Sequence, residues 1–149
     1  MPMLLRLPFI VSLFIFITSS ISAQERYAIA GVDNDKQFVE FYQKFQQAVQ
    51  SDDSLYISKI ICYPLQVVID INTKLRLKSE REFIANYRKL FDTRLKNLIL
   101  SQSGNKLFAK SSGIMVGRGQ IWFIVTLDNK ILISSISNLQ GIWQLSNTH

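Results

Sequence analysis

The stretch SGIMVGRGQIWFIV, residues 112–125, decides how this chain is read. Gly117 and Gly119 flank Arg118, and Trp122 follows three residues after the second glycine. A glycine loop that cradles phosphate follows a strand and opens a helix, so that the helix N-terminus meets the anion. Here the residues after Gly119 are β-branched and aromatic, a run that prefers a strand. No third glycine stands at the required spacing, and no Gly-Lys-Ser/Thr follows. Gly-Arg-Gly therefore predicts a hairpin turn or bulge, where glycine accepts a positive φ.

Working outward from that turn, the last third reads as β structure. KLFAK, GIMV, QIWFIVTL and KILISSIS are four strands separated by SS, GRG and DNK. QIWFIVTL is apolar on both faces, with Ile121, Phe123, Val125 and Leu127 on one and Trp122 and Ile124 on the other. That predicts a central strand covered on both sides. The tail NLQGIWQLSNTH leaves the sheet, with Trp143 expected to tuck against it.

Towards the N-terminus the period changes. From Asp35, the residues Phe38, Phe41, Tyr42, Phe45 and Val49 form one helical stripe. QSDDSL breaks it, with Ser51 or Asp52 the expected cap of a second, shorter helix ending at Pro64. LQVVIDI and LRLK, joined by NTK, predict a hairpin. Ser79 and Glu82 form a capping box. Behind it Phe83, Ile84, Tyr87, Leu90 and Phe91 make a buried arc, opposite Arg81, Arg88 and Lys89. DTRLKNLILSQ reads as a further helical turn or two, or an irregular connection, and residues 24–34 as a short arm.

The chain has 149 residues, one domain's worth. Its first 23 residues carry Arg6, an apolar run of about a dozen residues, a small polar stretch and Ala23, the layout of a secretory signal peptide. The apolar run is short of the roughly 18–20 residues that span a bilayer. The expected mature domain is residues 24–149, exported to a periplasm or secreted. A single cysteine, Cys62, excludes an intrachain disulfide and reads as a buried thiol. Charge is segregated: residues 24–70 hold four basic and seven acidic side chains, and residues 74–96 hold eight and three.

The one histidine is His149, the last residue. His-containing triads, Cys/His pairs and His-based metal sites are excluded with it. Neither a cofactor nor a metal is expected.

The element order resembles the nuclear transport factor 2-like (cystatin-like) superfamily of α+β cones, in which N-terminal helices pack on a curved, mostly antiparallel sheet. Within it, the chain is similar to small bacterial secreted or periplasmic members. The matching stretches are Phe38 to Asp52, Tyr63 to Leu65, Ser79 to Phe91 and Gly113 to Phe123, and the likeness covers residues 36–138. The resemblance implies a pocket at the cone's mouth, for which Phe45, Tyr63, Val68, Trp122 and Ile124 are the candidate lining. Isomerase-like members use an aspartate base with tyrosine donors, which would fall here to Asp70, Tyr63, Tyr87 and Tyr42. Asp70, however, stands beside a turn, where a solvated carboxylate is ordinary, and the strands of the last third hold no carboxylate.

The leading expectation is an exported, non-catalytic protein that binds another protein in the envelope, of the inhibitor or immunity type. The partner is expected to be acidic, meeting Arg81, Arg88, Lys89, Arg94 and Arg118. The alternatives are a small-molecule carrier with an apolar cone pocket and, ranked below it, an isomerase- or dehydratase-like enzyme. Contact with a membrane through the basic helix and a homodimer are further expectations; nucleic acid and a transmembrane span are not.

Overall fold

The computed structural model describes residues 25–70 and 72–138. The expected leader, Trp143 and His149 lie outside the described residues. The elements are α1 (Asp35–Gln50), α2 (Ser54–Lys59), β1 (Ile61–Val68), β2 (Lys74–Leu77), α3 (Glu80–Leu90), α4 (Thr93–Ser101), β3 (Phe108–Lys110), β4 (Gly113–Val116), β5 (Ile121–Val125) and β6 (Ile131–Ser137). The strands form one open sheet in the order β2-β1-β6-β5-β4-β3. Every pairing is antiparallel except β1 with β6. The fold is thus α+β, with helices on one face of a mostly antiparallel, curved sheet.

The predicted stripe of α1 is the keel of the core. Phe38, Tyr42, Phe45 and Val49 are fully buried. Phe123, from β5, meets Phe45 at 5.4 Å and Phe41 at 5.4 Å between ring centroids, edge to face. Each edge-to-face pair adds roughly 0.5–1.5 kcal/mol beyond the burial of its two rings. Leu65 and Val67 of β1, and Ile133 and Ile136 of β6, close the layer from the sheet side.

The Gly-Arg-Gly turn is a hairpin, as its residues predict. Gly117 has φ 65° and Gly119 φ 106°, and they join β4 to β5. A Cβ on Gly117 would come within 2.7 Å of Leu98 Cδ2, so the position needs both the left-handed backbone and the missing side chain.

Several boundaries differ from the sequence reading. Helix α2 stops at Lys59, and Cys62 and Tyr63 already belong to β1, so the strand runs through Pro64 rather than starting after it. The α2 cap is Asp53, whose side chain accepts from Tyr56 N at 2.9 Å. DTRLKNLILSQ contains a separate helix, α4, because Asp92 accepts from Leu95 N at 2.9 Å and starts it afresh. Strand β5 ends at Val125: Thr126 turns the chain by bonding Lys130, and Leu127 stands fully exposed at the tip. Its second face is not covered among the described residues, since Trp122 and Ile124 are half-exposed. Ile84 lies at the rim of the α3 arc, 38% exposed, and Cys62 is a half-buried free thiol.

The N-terminal arm is built into the domain. Asp35 accepts from the backbone N–H groups of Arg26 and Tyr27 at 2.7 and 2.8 Å. Tyr27 is fully buried; its hydroxyl donates to Gly104 O at 2.6 Å and accepts from Leu107 N at 3.0 Å. One phenol thereby ties the arm to the connection between α4 and β3.

Candidate functional site

Two regions carry chemistry that the core does not use: the surface of α3 with its neighbours, and the outer face of the sheet. On α3, Ser79 caps the helix by accepting from Glu82 N at 3.3 Å, while the Glu82 carboxylate accepts from Lys78 N at 2.7 Å. With Phe83, Tyr87 and Leu90 buried, the helical period turns Arg81, Arg88 and Lys89 outwards, and all three are exposed. Arg94, on α4, is held by Asp92 at 3.2 Å and is partly neutralised. Arg118 is exposed on the turn between β4 and β5, where its backbone N–H donates to Gln120 Oε1 at 2.6 Å. The five predicted cations therefore divide: three on one helix face, one in a local ion pair, and one on the sheet layer.

Beside α3 lies a constellation absent from the sequence reading. Asp52 is a non-glycine residue with φ 55°. Its carboxylate accepts from the Tyr87 hydroxyl at 3.1 Å and pairs with the Lys96 ammonium, which also sits 5.8 Å from the centre of the Tyr87 ring. Asp52, Ser54, Ile84, Ala85, Tyr87 and Arg88 line an open cleft of about 390 Å³. Lys96 holds the Asp52 carboxyl below its ordinary range. Burial, and then Asp52 itself, push the Tyr87 phenol well above its own. Near neutrality Asp52 is charged and Tyr87 keeps its proton, so the pair is a fixed hydrogen bond rather than an acid–base relay. The only sequence signal was the acidic pair Asp52-Asp53 after a helix; left-handed backbone at an aspartate is not written in its neighbours.

The other acid–base candidates do not converge on one cavity. Asp70 is exposed and closes a turn, accepting from Asn72 N and Thr73 N at 2.8 Å each; the Thr73 and Asn72 bonds hold its carboxyl low. The Tyr63 hydroxyl donates to Ser58 O at 2.9 Å, and the Tyr42 hydroxyl to Ile99 O at 2.9 Å. Each phenol is committed to a backbone carbonyl.

The five candidate lining residues are divided by the sheet. Phe45 is fully buried on the helix side. Trp122 and Ile124 alternate with buried Ile121 and Phe123, and so face the other way. Val68 lies with Gln66 on that same outer side, because Leu65 and Val67 are the buried residues of β1. The five do not line one cavity.

Among the described residues, no group of three or more His, Cys, Asp or Glu is placed to hold a metal ion, and no helix is long and apolar enough to cross a membrane. No family model, curated protein or solved structure matches the chain.

Proposed function

We propose that this chain is an exported, non-catalytic binding protein on a nuclear transport factor 2-like cone, and that it engages an acidic protein partner in the manner of an inhibitor or immunity protein. The observation that carries this reading is the filling of the interior. Phe38, Tyr42, Phe45 and Phe123 occupy the space between α1 and the sheet with 0–1% exposure, where a ligand or an acid–base pair would otherwise sit. Recognition then falls to the exterior, and there Arg81, Arg88 and Lys89 stand exposed on a single helix face. The order of two helices, a hairpin, two helices and an antiparallel meander supports the cone.

Cations on one face raise the encounter rate with an acidic partner by about 10-fold or more, an advantage that salt removes. The Arg88→Glu/Lys89→Glu double variant is expected to lower the association rate at low salt by about tenfold. Both side chains are exposed, so the fold is expected to be kept, with a small fall in melting temperature because two carboxylates then meet the C-terminal end of α3. Stopped-flow or surface-based kinetics with the co-isolated partner makes the measurement. An unchanged association rate would remove α3 from the account.

A further inference from the structure

The outer face of the sheet has a composition of its own. The strand register places Phe108 opposite Met115, Met115 opposite Trp122, Trp122 opposite Ser135, Ser135 beside Gln66, and Gln66 opposite Arg76. This row crosses all six strands on the side away from the helices. A second row adds Ile124 opposite Leu132, with Lys110 opposite Gly113 nearby. From β3 to β6 the face presents large apolar side chains: Phe108 is 55% exposed, and Met115, Trp122, Ile124 and Leu132 are half-exposed. Aromatic residues and methionine are the types enriched where proteins meet, and tryptophan dominates their hot spots.

The charges on this face select among occupants. Among the described residues, Lys74, Arg76 and Lys110 are the charged residues of the six strands, and none of these strands carries a carboxylate. The Lys110 ammonium sits 4.8 Å from the centre of the Trp122 ring, so a cation stands within the apolar half. A second copy docked about a two-fold axis would set this face against itself, cations near cations with no carboxylate to meet them. An anionic lipid surface is held by clusters of about 4–8 lysines and arginines. The three here are spread over both ends of the sheet. We infer that the outer face of the sheet, from β3 across to β2, is the docking surface for a protein partner that presents aliphatic or aromatic anchors to Trp122 and Phe108 and carboxylates to Lys110 and Arg76. This inference rests on the protein-binding reading above: α3 speeds the encounter, and the sheet makes the contact.

The test is site-specific photo-cross-linking of the full chain in the cells that make it. Benzoylphenylalanine replaces Phe108 in one protein and Ile84, on α3, in another. Both positions are exposed, and thermal melts confirm that each variant is folded. The expected result is an adduct from position 108 to another protein, whose cross-linked segment, sequenced by mass spectrometry, is net acidic and contains apolar residues. Adding Lys110→Glu and Arg76→Glu is expected to lower that yield about tenfold, with no change in melting temperature. An adduct to a second copy, to residues 139–149 of the same chain or to lipid would overturn the inference. So would a basic contact segment, or a yield indifferent to charge reversal. Protein adducts from position 84 alone would overturn the sheet surface and leave the protein-binding reading intact. No protein adduct from either position would overturn both.

Discussion

Asp52 shows how a single residue can be placed against its own backbone preference. A left-handed φ disfavours side chains other than glycine, asparagine and aspartate, and it survives where the surroundings over-determine it. Here the Tyr87 hydroxyl and Lys96 do so. Asparagine keeps the tolerated backbone and can still accept from Tyr87, whereas alanine keeps neither. Thermal melts should therefore rank Asp52→Asn above Asp52→Ala, and equal melting temperatures would show that the network does not hold the turn. The tyrosines make a second prediction. Burial leads the causes that raise all five phenols, and Tyr63, with Glu80 adding to burial, is pushed up to about 12. A folded value above the ordinary 10.0 favours the neutral phenol in the folded state. Its stabilisation is complete below pH 10 and is lost as pH rises towards 12. Tyrosinate absorbance should therefore appear together with loss of the circular-dichroism signal above pH 10. Ionisation with the fold intact would contradict the burial.

At the scale of elements, α4 depends on a cap from another helix. Gln46 on α1 donates to Ile99 O and Gln102 O at 2.9 Å each, and the Tyr42 hydroxyl also donates to Ile99 O. At this helix end, where carbonyls lack intrahelical N–H partners, these bonds add to the long 3.4 Å bond that Gln102 N donates to Ile99 O. Gln46→Ala is expected to cost about 1–2 kcal/mol in urea unfolding. Gln46→Glu should cost more, because a carboxylate cannot donate and meets the negative end of the helix. A glutamate variant as stable as wild type would contradict the cap. Stripes and turns of this fold were legible because their causes are local: the α1 period, the Ser79 cap and the Gly-Arg-Gly turn each lie within a few residues. The end of α2, the separate α4 and the packed arm were not: the chain leaves α2 to pair Ile61 with Ile133 of β6, Asp92 caps α4 through a carboxylate that reads equally as solvent-facing, and Gln46 and Tyr27 act on partners distant in sequence. The same limit hid the candidate site. Arg81, Arg88 and Lys89 could be placed on one face by period alone, whereas the Asp52–Tyr87–Lys96 contact joins residues up to 44 positions apart.

Across the whole molecule, a filled interior is combined with a segregated exterior. The sheet separates Phe45 from Trp122, so the aromatic residues that suggested one pocket lie on two sides: the inner rings fill the core, and Trp122 is half-exposed on the outer face. Arg81, Arg88 and Lys89 on α3, and Lys74, Arg76 and Lys110 on the edge strands of the sheet, are exposed, so their fields reach through solvent and weaken with salt. The central claim is that this protein works by binding another protein through its surface. Native mass spectrometry of the protein, drawn gently from the envelope fraction of its own host, tests it most directly. The account predicts a stoichiometric complex with an acidic protein, whose abundance falls as the extraction salt is raised. A bare chain carrying a small-molecule adduct, or a homodimer with no other protein, would contradict it.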